Sequence, residues 1–134
     1  MKFHITTLML AMLVSFPSLA HGVHDSGAIK PQKGGVLKSL ESVHLELVQM
    51  GQEIRIYVYN TETPPKAEKV SQFPVSAKVV LPRKKGTQDL VLKANGDHWT
   101  TSYDAKGIHR FDFVLTIEQN GHKDKVVFTV EPKK

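Results

Sequence analysis

Beyond residue 20 the chain carries six histidines, His21, His24, His44, His98, His109 and His122, and it contains no cysteine. Imidazole nitrogen is the usual ligand for Cu(II), Zn and Ni, so a metal site here must be built from histidine and carboxylate alone. Met50 is the one methionine outside the N-terminal segment, which favours Cu(II) or Zn over a thioether-based Cu(I) site. His21 and His24 are the leading ligands. A chain beginning at His21 would offer its terminal amine and the imidazole of the same residue, with His24 near enough to add a third nitrogen. His44 joins this candidate set if the arm folds back. His98 and His122 flank the turn sequences Asn95-Gly96 and Asn120-Gly121, where exposed polarity accounts for them. His109 shares the face of Phe111 and Phe113, where a packed histidine is expected.

The reason to expect a chain start at His21 lies upstream. Lys2 precedes an uncharged stretch from Ile5 to Phe16, and Ser18-Leu19-Ala20 supplies small residues before a cut after Ala20. These are the parts of a secretory signal peptide, and the apolar run is shorter than the roughly 20 residues that a spanning helix needs. The expected organisation is a cleaved signal at 1–20, a Gly-containing flexible arm at 21–35 and one domain at 36–134. The expected compartment is the periplasm. Processing removes Lys2 and lowers the formal charge by one from +5.

Hydrophobic residues at 40% and charged residues at 23% describe an ordinary globular chain. The remaining cations cluster in turns, as in Arg83-Lys84-Lys85, without the interleaved aromatics that nucleic-acid binding would use. Neither nucleic acid nor stable membrane insertion is expected. Metalloprotease, nucleophile-elbow, phosphate-loop and dinucleotide motifs are missing from the sequence, so a non-enzymatic role is expected. His44 and Glu46 lie two apart on one strand face, and solvation is the simpler account of that pair.

From Val36 onward the apolar residues alternate. Val43, Leu45 and Leu47 share one face, opposite His44, Glu46 and Val48; Ile54, Ile56 and Val58 repeat the pattern. Val75, Ala77, Val79 and Leu81 form a third run. Ile108 to Glu118 forms the clearest one, followed by Lys123 to Glu131. Asn95-Gly96 and Asn120-Gly121 mark tight hairpins, the former expected as type I′. No helical period persists. Seven or eight antiparallel strands imply an all-β sandwich of immunoglobulin or fibronectin type III kind.

Lys33-Gly34-Gly35-Val36, His44-Leu45-Glu46-Leu47-Val48 and the Ile54 to Tyr59 strand together resemble small exported domains with a His-Gly-Gly-Val … His-x-Glu-Leu-Val pattern. Such domains accompany, or are fused to, adaptor proteins of resistance-nodulation-division heavy-metal efflux systems. Val75-Ser76-Ala77-Lys78-Val79 and the stretch from Gly107 to Val130 extend the likeness. The resemblance implies a periplasmic sandwich linked to Cu or Zn handling, with an efflux adaptor as partner. Gly34, Gly35, His44 and Glu46 carry over by position, which adds Glu46 to the metal candidates. Lys33 departs from the pattern, because a protonated lysine cannot ligate a metal where a histidine could.

Two functions from different classes follow. One is a soluble metal-binding or metal-delivery accessory protein for Cu(II) or Zn. The other is a metal-free interaction module that pairs its sandwich edges with another exported protein.

Overall fold

The computed structural model describes residues 29–84 and 86–132. The expected signal peptide, His21 and His24 lie outside the described residues. Among the described residues nine strands form two antiparallel sheets. They are β1 (Val36–Ser39), β2 (His44–Met50), β3 (Glu53–Tyr59), β4 (Val75–Val80), β5 (Thr87–Leu90), β6 (Lys93–Asn95), β7 (His98–Ser102), β8 (Phe111–Gln119) and β9 (His122–Val130). The five-stranded sheet has the order β1-β2-β3-β7-β6 and the four-stranded sheet β5-β4-β8-β9. The arrangement is all-β and sandwich-like. No helix among the described residues is long and apolar enough to cross a membrane.

Alternation decides which side of each strand is dry. Leu45, Leu47, Ile54, Ile56, Val58 and Trp99 from the larger sheet meet Val79, Phe113, Leu115, Ile117, Phe128 and Val130 from the smaller one in a single core. Burying side chains of this size stabilises the fold by about 1.5–3 kcal/mol each. Val70, in the short 3-10 turn Val70–Gln72 of the long β3–β4 connection, adds to this core from outside the sheets.

Turn chemistry fixes the registers, and one turn differs from expectation. Asn120 (φ 52°) and Gly121 (φ 77°) form a type I′ turn that closes β8 onto β9. At the other site Asn95 pairs with His98, so the turn residues are Gly96 and Asp97. Gly96 has a positive φ of 68° whereas Asp97 does not, which is the II′ pattern with glycine first. Asn95 therefore belongs to the strand, one residue away from its expected place in a type I′ turn.

Two histidines also depart from expectation. His109 is exposed rather than packed: the turn that the Ile108 N–H closes on the Ala105 carbonyl ends just before it, and β8 begins only at Phe111. His98 is largely covered instead of being exposed turn polarity. His122 is exposed beside its turn, as expected.

Candidate functional site

Antiparallel pairing brings the polar residues of the larger sheet into rows on its outer face. His44 lies opposite Tyr59, Glu46 opposite Tyr57, and Val48 opposite Arg55; the next strand sets His98 opposite Tyr57. An outer sheet face is ordinarily wet, yet Glu46 is 0% exposed, and Tyr57 and Tyr59 are buried as well. None of the three belongs to the central core. They form a second, polar cluster under a cover.

The end of the N-terminal arm is that cover. Glu46 Oε1 accepts the Gln32 N–H at 2.9 Å and the Tyr59 hydroxyl at 3.0 Å. Glu46 Oε2 accepts the N–H groups of Lys33 and Gly35, each at 2.8 Å. Four donors converge on one side chain, filling the acceptor positions that a carboxylate offers. Successive backbone N–H groups curled around an anion make a nest, here closed on a residue of the protein's own sheet.

The glycine pair makes this curl possible. Gly34 takes a φ of 73°, a conformation that side chains disfavour. Gly35 lies against β2 so tightly that a Cβ would overlap the Leu47 carbonyl oxygen. The Lys33-Gly34-Gly35 sequence and Glu46 are thus two halves of one device. Residues 32–35 consequently do not behave as a free tail.

Around the clamp the side chains are held in turn. The Lys33 ammonium stands 5.4 Å from the centre of the Tyr57 ring, a cation–π distance. The Tyr57 ring packs against the His98 ring at 4.8 Å between centroids. His98 Nδ1 pairs with Asp97 Oδ1 at 2.7 Å. Arg55 donates to Glu53 at 3.2 Å and to the Tyr57 hydroxyl at 3.5 Å; these bonds, led by that to Tyr57, raise its pKa. Burial, reinforced by the hydrogen bond to Glu46, raises the Tyr59 hydroxyl above its ordinary value of 10.0. His44 Nδ1 shares a hydrogen bond with Ser39 Oγ at 2.8 Å, and partial burial lowers its pKa below 6.5.

His44 and Glu46 therefore share a face but not a task. Glu46 has no acceptor position left for a cation while the arm is docked, so the structure corrects the solvated-pair reading: this carboxylate stays on the outer face but is buried beneath the arm. Among the described residues no group of three or more His, Asp or Glu side chains is arranged to hold a metal ion. His21 and His24 lie outside those residues. Tyr57 and Tyr59 are the members of the site that the sequence pattern did not single out, and His98 is the one it assigned to exposed turn polarity. A signal existed for the tyrosines: alternation aims both outward from a central strand, and a tyrosine that is covered there needs a partner for its hydroxyl.

Comparison with protein-family models, curated proteins and solved structures finds no match to this chain. The functional reading therefore rests on the site itself.

Proposed function

We propose that this is a soluble periplasmic accessory protein that binds or delivers Cu(II) or Zn, serves heavy-metal efflux or homeostasis, and meets an efflux adaptor as its partner. The observation that carries the reading is the docking of residues 32–35 on the sheet face that also bears His44. From Gln32 the chain needs eight residues to reach His24, a span of up to about 26 Å when extended. An arm anchored at Gln32 thus has His44 within reach of the imidazoles upstream. Burial that favours neutral His44 also keeps it in the form that ligates.

In this reading His21 and His24 are the principal ligands and His44 supplies a nitrogen from the sheet. Glu46 positions the arm and does not touch the metal, which is the cargo. The two-sheet arrangement is assigned to the immunoglobulin or fibronectin type III kind, a reading supported by two antiparallel sheets around one core.

Calorimetry with Cu(II) and with Zn on protein beginning at His21 tests the proposal. Binding tighter than about 10 μM (about −7 kcal/mol) is expected, weakened by His24→Ala and by adding one residue before His21. His44→Ala is expected to weaken it less. Affinity unchanged by the added residue removes the terminal chelate, and no binding tighter than about 10 μM removes the metal reading.

A further inference from the structure

The four strands at the sheet edges are unequal. β1, β5 and β6 span four, four and three residues, whereas β9 runs for nine. Among the described residues its one strand partner is β8. The two-residue turn makes Gln119 and His122 a hydrogen-bonded pair, and bonded pairs then alternate along the ladder. The even-numbered residues of β9 bond β8. The odd-numbered ones, Lys123, Lys125, Val127 and Thr129, direct their backbone N–H and C=O groups sideways from the sheet.

Natural edges of this length are blunted by proline, bulges, charge or a covering element. Lys123 and Lys125 protect the first half of β9. The second half, Val126-Val127-Phe128-Thr129-Val130, has no charge, proline or bulge, and Val127 is 43% exposed. A groove of about 690 Å³ opens beside this half, lined in part by Val36, Leu47, Val48, Phe128 and Val130.

We infer that β9 is a self-association edge, pairing antiparallel with β9 of a second copy so that two four-stranded sheets continue into one of eight strands. Self-complementarity singles out the second copy and also the register. With Val126 opposite Val126, all four sideways-directed residues meet their counterparts: Lys125 faces Val127, and Lys123 faces Thr129. The charged half of each strand then lies along the uncharged half of the other. Glu131 of one copy falls one diagonal step from Lys123 of the other, an opposite-charge neighbour that occurs twice by symmetry. A shift that centres on Lys125 would set two ammonium groups face to face, and one that centres on Val127 would shorten the ladder.

Sedimentation equilibrium of the protein beginning at His21, from 1 to 200 μM, tests this. A reversible dimer is expected within that range. Val127→Pro is expected to leave the monomer folded, because its N–H does not bond β8, and to weaken dimerisation at least tenfold. Val127→Lys places lysine opposite Lys125 and is expected to weaken it likewise, whereas adding Lys125→Glu to that variant is expected to restore it. Circular dichroism reads the fold of each variant; should Val127→Pro unfold, the charge pair alone decides. A wild-type protein that stays monomeric at 200 μM overturns the inference. So does a dimer that the folded variants leave unchanged, or one that the charge exchange fails to rescue.

Discussion

Two carboxylates on the outer faces of the two sheets have opposite fates. Asp112 of β8 lies across from Thr129 and accepts its hydroxyl at 3.1 Å in an exposed contact. Glu46 of β2 is fully buried and accepts four hydrogen bonds, three of them from the arm's backbone. Both occupy outward positions in alternating strands, so strand pattern alone does not separate them. The difference lies in what covers each face: the arm folds over the larger sheet. Burying a charge is expensive unless its hydrogen bonds are replaced, and the glycine-containing nest replaces them.

That contrast can be broken at several points. Glu46→Ala removes the common acceptor of four donors and is expected to lower stability by about 3 kcal/mol, read by urea unfolding. Asp112→Ala, in the same assay, is expected to change it by less than about 0.5 kcal/mol. Equal effects at the two positions would erase the distinction. Gly35→Ala forces the loop away from the Leu47 carbonyl and is expected to destabilise by about 2 kcal/mol, with the loss of the Tyr59 contact visible in aromatic NMR shifts.

Tyr59→Phe keeps the ring and loses the hydroxyl donor, an expected loss of about 1 kcal/mol at neutral pH. It also sharpens the pH dependence. The folded protein holds the Tyr59 proton above the ordinary value of 10.0, so above pH 10 the unfolded chain releases a proton that the folded chain keeps. Stability contributed by Tyr59 is therefore complete below pH 10 and declines as pH rises beyond it. Unfolding measured from pH 9 to 11.5 is expected to show a decline that Tyr59→Phe makes shallower; a residual slope comes from Tyr103, which burial raises as well.

The smallest effect belongs to His44. Its lowered pKa means that the unfolded chain takes up a proton below pH 6.5 before the folded chain does. Stability from this group is complete above 6.5 and falls as pH drops towards the folded value. His44→Gln is expected to flatten that shallow slope, and an unchanged slope would show that His44 is not desolvated.

Much of the fold was legible because period-two alternation and Asn-Gly turns act locally. Leu45, Leu47, Ile54 and Ile56 take the core face that the pattern assigns them. His109 escaped because β8 begins only at Phe111, which leaves His109 between the Ala105–Ile108 turn and the strand, and such a boundary is set by tertiary context. The II′ turn at Gly96-Asp97 escaped for a related reason, since pairing Asn95 with His98 decides which two residues form the turn. In the site, Gly34, Gly35, His44 and Glu46 were all singled out by resemblance. What they do together was not, because 32–35 and Glu46 are brought into contact by the chain folding back across the sheet. Nothing in the spacing of a strand glutamate announces that its partners are backbone amides more than ten residues upstream.

Amide hydrogen exchange of the arm tests the clamp most directly. In the wild-type protein the N–H groups of Gln32, Lys33 and Gly35 are expected to exchange at least about a hundredfold more slowly than an unstructured chain, since all three bond a buried carboxylate. Glu46→Ala is expected to return them to nearly unprotected rates while the core amides of β3 and β8 stay protected. Unprotected exchange at Lys33 and Gly35 in the wild type, or protection that survives Glu46→Ala, would contradict the account.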